Sequence, residues 1–203
     1  MRQALVVGNG ESRKRLNLED YRLTHTIIGC NALHRDIKLD HLICCDRRMV
    51  DEAIVNPNIS DTLIYVRESW YHYFRKILKN KRIQHLPTIP VVGETKQDQP
   101  DHWGSGCYAI LLAAHLGFTE VTLIGFDLYS VQDRVNNIYK GTQNYSKVDA
   151  HAVDYSFWIY QTTQVFKHYP QVQFIVRNHF DWIMPIEWQK NNVSFRNIDE
   201  LVG

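Results

Sequence analysis

This chain of 203 residues has almost no excess of charge, because 23 Lys and Arg balance 22 Asp and Glu. A net charge of +1 gives no general attraction to nucleic acid or to an anionic membrane surface. No apolar stretch approaches the roughly 20 residues that a helix needs to cross a bilayer. We therefore expect no nucleic-acid partner and no integral membrane segment.

Cysteine is scarce, and none of the four cysteines has CxxC spacing. All lie in apolar runs, as reduced core cysteines do: Cys30, Cys44, Cys45 and Cys107. The neighbours Cys44 and Cys45 would point to opposite faces of a strand, which disfavours a disulfide between them. The first strand follows Met1 almost directly and leaves no room for a signal peptide. These observations predict a cytoplasmic protein with free thiols.

The familiar metal and nucleotide motifs are also missing. None of the ten histidines has HxH, HxxH, HxxxH or HExxH spacing, and the aspartates follow no coordination pattern, so we expect no dedicated metal site. The sequence contains no GxxxxGK[ST] motif, so we do not expect a P-loop ATPase or kinase. Gly8 and Gly10 begin a GxGxxG pattern, but Arg13 occupies the third glycine position, which disfavours an NAD enzyme.

Short apolar runs alternate with helical patterns along the chain. Strands are predicted at Ala4–Val7, Thr26–Ile28, His41–Cys45, Thr62–Val66, Val121–Ile124 and Gln173–Val176, with a weaker candidate at Arg82–Leu86. Helices are predicted over 70–78, 106–116 and 155–169. Nearly continuous apolar strands are typical of a parallel sheet covered on both faces. The sequence therefore predicts an α/β protein: residues 1–203 form a single Rossmann-like domain, doubly wound, with a mostly parallel sheet and helices on both faces.

Two long segments, 87–103 and 130–150, have no clear period. Loops of such length commonly serve as lids or binding loops. We therefore take 130–150 as a candidate lid over a site at the carboxyl ends of the strands.

The first strand ends in Gly8-Asn9-Gly10-Glu11-Ser12. Missing Cβ atoms let a ligand approach the backbone, and ligands of open parallel sheets bind at the carboxyl ends of the strands. The alternative is a connection that needs glycine only for its geometry. The basic run 13–15 that follows either faces an anionic ligand or is a solvated turn.

A second bend, Ser105-Gly106, precedes the apolar helix 106–116. Free N–H groups at a helix start attract phosphate, although Ser105 could equally cap the helix without a ligand. Asp127 and Tyr129 follow the strand 121–124 and would emerge at the same edge of the sheet. His151, just ahead of the last predicted helix, is a candidate general base.

Taken in order, these pieces resemble the bacterial lipooligosaccharide sialyltransferase family and a wider set of motility-associated and uncharacterised Rossmann-like proteins. Archaeal pterin pyrophosphokinases look similar in the same way. The resemblance covers the first two-thirds of the chain and lies in four short islands: Gly8-Asn9-Gly10-x-Ser12; Cys30-Asn31; Ser105-Gly106-x-Tyr108 with Ala113 through Gly117-Phe118; and Gly125-Phe126-Asp127-Leu128-Tyr129.

The resemblance implies an inverting glycosyltransferase that needs no metal or other cofactor. Its partners would be a nucleotide-sugar donor, with a CMP-linked sugar expected, and a hydroxyl acceptor. The residues expected at the nucleotide are Gly8, Asn9, Gly10, Ser12, Asn31, Ser105, Gly106 and Asp127. Tyr129, with Tyr139 or Tyr145 as a second tyrosine, would bind the leaving phosphate, and His151 would be the base.

Two alternatives stay open. A pyrophosphokinase-like transferase would use ATP and magnesium held by carboxylates such as Asp46 and Asp127. A non-catalytic nucleotide- or glycan-binding module would keep the cleft without the base.

Overall fold

The computed structural model describes residues 2–91 and 103–201. Its strands are β1 Gln3–Val7, β2 Thr26–Cys30, β3 His41–Ile43, β4 Leu63–Val66, β5 Ile83–His85, β6 Glu120–Ile124, β7 Gln173–Asn178 and β8 Val193–Asn197. They form one sheet in the order β5-β4-β3-β2-β1-β6-β7-β8, and every neighbouring pair is parallel. The predicted α/β, Rossmann-like fold is confirmed.

The strand order reverses between β1 and β6. From β1 the chain builds the sheet outward to β5, and it then returns to add β6 on the other side of β1. Val7 at the end of β1 pairs with Gly29 of β2 and with Ile124 of β6. Such a switch point opens a crevice at the carboxyl ends of the two strands, where α/β proteins bind ligands.

The helices are α1 Arg47–Val55, α2 Glu68–Tyr71, α3 Ser105–His115 and α4 Ser156–His168, and α2 continues as the π-helical segment His72–Ile77. They cover both faces of the sheet, since residues of α3 and α4 pack in one core cluster and residues of α1 and the π-helical segment in the other. Cys44 and Cys45 lie in opposite clusters, and all four cysteines are free, as predicted.

Some elements differ from the sequence prediction. The strand β8 and the helix α1 were not predicted, whereas the weak candidate at Arg82–Leu86 is the strand β5. Residues 92–102 of the unassigned segment 87–103 lie outside the described part of the chain. Within the described part, no helix has the length and apolarity required to span a membrane.

Candidate functional site

A pocket lies at the carboxyl ends of β1, β2 and β6, at the switch point of the sheet. The turn after β1, the turn after β2, the start of α3 and the turn after β6 all line it. The predicted residues that line it are Gly8, Asn9, Gly10, Asn31, Ser105, Gly106, Asp127 and Tyr129. The glycine–asparagine bend and the serine–glycine bend therefore meet at one pocket.

The glycines of the first bend allow two turns of the protein to pack together. A Cβ on Gly8 would lie 2.4 Å from the Gly125 carbonyl oxygen, and a Cβ on Gly10 would lie 2.3 Å from Asp127 Cγ. The Gly8 and Gly10 N–H groups donate to the carbonyl oxygens of Ile124 and Gly125 at 2.8 and 2.9 Å. The close approach at these glycines is thus between the turn after β1 and the turn after β6.

Asp127 is buried between the two turns, and Ser12 holds its carboxylate. The Ser12 N–H donates to Asp127 Oδ2 at 2.9 Å, and the Ser12 hydroxyl donates to Oδ1 at 2.5 Å. Ser12 itself does not line the pocket. Asp46, the other carboxylate considered for magnesium, does not line the pocket either. The described residues contain no group of three or more His, Cys, Asp or Glu arranged to hold a metal.

Arg13 is buried and hydrogen-bonded within the protein. Neither alternative from the sequence, a ligand-facing cation or a solvated turn, applies to it. Its Nε donates to the Gly8 carbonyl oxygen at 2.7 Å, and its Nη2 donates to the Tyr139 hydroxyl at 3.0 Å. The Tyr139 hydroxyl in turn donates to Asp36. Tyr139 is 4% exposed and lies outside the pocket lining, so we assign no phosphate contact to it.

Asn9 and Asn31 line the pocket, and each carries an unpaired acceptor. Their Oδ1 atoms are buried and have no hydrogen-bond partner among residues 2–91 and 103–201. The Asn9 Nδ2 donates to the Tyr145 hydroxyl at 3.0 Å, which also accepts from Ala32 N at 3.3 Å. Buried polar atoms in native proteins are nearly always paired. The two free carbonyl oxygens therefore indicate a ligand that carries N–H or O–H donors.

The start of α3 supplies donors. Gly104 is the N-cap and offers no side chain, so the first N–H groups of the helix at Ser105, Gly106 and Cys107 face the pocket without a side-chain cap. The Ser105 hydroxyl accepts from Cys45 N at 3.2 Å, so it does not act as the cap that the sequence allowed. The positive end of the helix dipole favours an anionic ligand here.

Tyr129 faces the same pocket as a protonated donor. Burial raises the pKa of its phenol, the charge of Asp127 raises it further, and the Asn136 amide opposes this rise. Tyr155 also lines the pocket, and its hydroxyl donates to the Tyr129 carbonyl oxygen at 2.9 Å. The pocket therefore presents a neutral phenol beside the start of α3.

His151 is exposed and lies outside the pocket lining. Its Nδ1 is 3.1 Å from Asp133 Oδ2, and its backbone pairs with Arg134. Both residues of this bridge are close in the chain to residues that line the pocket. Arg134 is two residues before Asn136, and His151 is four residues before Tyr155. A carboxylate only accepts, so the neutral ring carries its hydrogen on Nδ1 and leaves Nε2 as the basic nitrogen.

The candidate lid 130–150 is fastened to the body of the domain. The Arg35 guanidinium donates to Thr142 Oγ1 at 2.8 Å and to the Gln143 carbonyl oxygen at 2.9 Å. Lys140 forms an ion pair with Glu11 at 3.0 Å. In this structure the segment thus forms part of the wall around the pocket.

The fold is similar to that of solved sialyltransferases. No protein-family model matches the chain, and no curated protein is similar to it at a significant level. The structure of the sialyltransferase CstII from Campylobacter jejuni, in complex with the substrate analogue cytidine-5′-monophosphate, superposes with a TM-score of 0.56 at 14% identity. That match covers 87% of this chain and 79% of CstII. A variant of the α-2,3/8-sialyltransferase CstII gives a TM-score of 0.52 at 15% identity, over 86% of this chain and 81% of the other.

The chain has a sialyltransferase-like fold. This finding supports the resemblance seen in the four sequence islands. At such low identity the likeness extends to the fold, and the chemistry of the site has to be argued from its own residues.

Several residues of the pocket were not predicted from the sequence: Asn136, Asn137, Tyr155, Trp158, Thr162 and Trp188. Tyr155, Trp158 and Thr162 belong to the predicted helix 155–169, whose period does not show that they border a pocket. The two asparagines lie in the segment without a period. An Asn-Asn pair in a long polar loop after a strand that ends at the ligand edge was the one available signal.

Proposed function

We propose that this protein is an inverting, metal-independent glycosyltransferase of the sialyltransferase type that uses a CMP-linked sugar. The observation that carries the proposal is the pair of buried, unpaired oxygens of Asn9 and Asn31 at the switch point of the sheet. A cytidine nucleotide has matching donors in its exocyclic amine and its ribose hydroxyls. Cytidine-5′-monophosphate in the similarly folded CstII supports this choice of ligand.

The pocket also offers hydrogen-bond donors, in contrast to the two asparagine oxygens, which are acceptors. Donors suit the phosphate. The first N–H groups of α3 and the Tyr129 hydroxyl are neutral donors, and they favour the charge that develops on the leaving phosphate. Because burial and Asp127 raise the pKa of Tyr129, its phenol keeps its proton near neutral pH. The phenol therefore donates a hydrogen bond to the leaving group without adding a charge.

His151 is the proposed base. Its Nε2 takes the proton of the acceptor hydroxyl, whose oxygen attacks the anomeric carbon of the sugar as the bond from that carbon to the phosphate oxygen breaks. CMP leaves, and the single displacement inverts the anomeric configuration. Asp133 holds the ring through Nδ1 and fixes Nε2 as the acceptor of the proton.

Calorimetric titration with CMP, UMP, AMP and ATP, each in EDTA and in magnesium, tests this proposal. We expect CMP to bind in EDTA and magnesium to change its affinity little. Binding of ATP only in the presence of magnesium would overturn the proposal and favour the pyrophosphokinase alternative. Release of CMP from CMP-sialic acid, measured with the same protein, then separates an enzyme from a binding module.

A substitution at Asn31 tests the residue pair. Asn31 has a positive φ of 51°, so Asn31→Gly suits the backbone while it removes the amide. Asn144→Gly is the matched control, because Asn144 also has a positive φ, 66°, and lies outside the pocket lining. We expect CMP affinity to fall about tenfold in the first variant and to stay unchanged in the second.

A further inference from the structure

Asn136 enters the pocket from the segment that follows β6, and one hydrogen bond fixes the orientation of its amide. The Glu11 backbone N–H donates to Asn136 Oδ1 at 2.8 Å. A backbone N–H can only donate, so the oxygen of the amide must face Glu11 and the NH2 group must face away from it. The Asn136 Nδ2 is buried beside the Tyr129 phenol, whose pKa the amide lowers by donating a hydrogen bond to it. An amide NH2 carries two hydrogens, so one N–H of Asn136 has no partner in the described ranges 2–91 and 103–201.

This free N–H complements the unpaired acceptors that Asn9 and Asn31 carry. Asn9 and Asn31 offer oxygens to donors of a ligand, whereas Asn136 offers an N–H group to an acceptor. The Ile138 N–H donates to the Asn9 carbonyl oxygen at 2.8 Å, so the segment that carries Asn136 is attached to the turn that carries Asn9. The segment that carries Asn136 and the turn that carries Asn9 are therefore joined by a hydrogen bond of the protein's own backbone.

The pocket also lacks a cation for a phosphate. Among the described residues that line it, none is lysine or arginine, and the nearby Arg13 is engaged by Gly8 and Tyr139. A phosphate in this pocket therefore depends on neutral donors. The available ones are the start of α3, the Tyr129 hydroxyl and the Asn136 amide.

We propose that Asn136 is a ligand-binding residue whose amide N–H group donates to a phosphate oxygen of the bound nucleotide. This inference rests on the nucleotide-binding function proposed above. It gives the pocket a third neutral phosphate donor, on the wall formed by the segment 130–150.

The test is Asn136→Asp, which keeps an oxygen for the Glu11 N–H and replaces the NH2 with a negatively charged oxygen. Calorimetric titration compares CMP with cytidine, which has no phosphate. We expect CMP affinity to fall about 10- to 100-fold, because a hydrogen bond to a charged group is lost, while cytidine affinity is unchanged. Asn80→Asp is the control: its oxygen also accepts a backbone N–H, that of Arg82 at 3.1 Å, and it lies outside the pocket lining.

The outcomes separate this inference from the proposed function. If the variant binds CMP as wild type does, or loses CMP and cytidine equally, Asn136 does not hold the phosphate and the inference is overturned while the function stands. If wild type binds neither CMP nor cytidine, the proposed function itself is overturned, and the inference with it. Urea unfolding of each variant shows whether the domain is intact.

Discussion

Ser12 holds both carboxylate oxygens of Asp127, one with its backbone N–H and the other with its hydroxyl. The pair joins the turn after β1 to the turn after β6, across the switch point where the pocket opens. A buried carboxylate needs such partners, since its transfer out of water is costly when it is left unpaired. The role of Ser12 is therefore to position Asp127 and both turns.

Ser12→Ala tests this relationship through stability. The variant keeps the backbone donor and loses the hydroxyl, so we expect the free energy of unfolding to fall by about 1.5–3 kcal/mol, as for a hydrogen bond to a charged group. Urea unfolding measures the change. Ser130→Ala, at an exposed serine, is the control and should leave the midpoint unchanged. An unchanged midpoint for Ser12→Ala would show that Asp127 does not depend on the hydroxyl.

A second stability prediction concerns the contact between the turns. In Gly8→Ala the new Cβ would lie 2.4 Å from the backbone oxygen of Gly125, which no side-chain rotation relieves. We expect a loss of about 3 kcal/mol, at the upper end for an overpacked site. Gly106→Ala is the comparison, because its Cβ would lie 3.2 Å from the Phe126 ring, and alanine is the better helix former. Equal midpoints for the two variants would contradict the prediction.

The fold could be predicted because its inner strands are buried on both faces. Such strands are nearly continuous apolar runs, and β1 to β4, β6 and β7 were all found in this way, whereas the edge strand β5 was only a weak candidate. The strand β8 was missed because it lies at the edge of the sheet, where Val193 and Phe195 are half-buried and Ser194 and Arg196 are exposed. Its apolar residues alternate with polar ones, so it contains no continuous apolar run.

The site could be predicted only where its residues directly follow strands. Asn9, Asn31 and Tyr129 follow strand ends, so parallel topology alone brings them to one edge. Tyr155 directly precedes α4, and the apolar period of that helix is the same whether its face borders a cavity or packs against the sheet. Asn136 depends on a contact with the Glu11 backbone, 125 positions away in the chain, which no local pattern can show.

The pH dependence of stability should include a contribution from Glu52. Hydrogen bonds from Arg35, at 2.5 and 2.7 Å, hold the pKa of Glu52 below its ordinary value of 4.5. A depressed folded pKa gives stability that is present above the unfolded value and is lost as the pH falls through the folded value. We expect Glu52→Gln to be less stable than wild type at pH 7, with a difference that shrinks below pH 4.5.

Urea midpoints measured from pH 7 down to pH 3 provide this comparison. Glu187→Gln, at an exposed glutamate, should follow the wild-type curve throughout. A gap between Glu52→Gln and wild type that stays constant over the whole range would mean that the charge of Glu52 contributes nothing.

Tyr129→Phe tests the donor to the leaving phosphate. The variant loses one hydroxyl that faces the pocket, so we expect turnover of CMP-sialic acid to fall about 100-fold, as when one donor to a developing charge is removed. The urea midpoint should change little. Tyr169→Phe makes the same change outside the pocket lining and should retain full turnover. Wild-type turnover in Tyr129→Phe would exclude this tyrosine from leaving-group stabilisation.

His151→Ala tests the base. We expect transfer to a hydroxyl acceptor to fall about 100- to 10,000-fold, the range for loss of a general base, while CMP affinity stays at the wild-type value. Asp133→Asn should cause a smaller loss, because the ring loses the carboxylate that orients it through Nδ1.

His85→Ala is the matched control for this base, since His85 forms a second surface pair with a carboxylate, through Nδ1 to Glu68 at 2.8 Å, and lies outside the pocket lining. Its removal should not affect transfer, because its ring does not reach the reacting atoms. If His151→Ala and His85→Ala transfer sugar equally well, the base must be sought elsewhere around the pocket. If only His151→Ala fails while its CMP affinity is normal, the exposed ring acts on the acceptor rather than on the nucleotide.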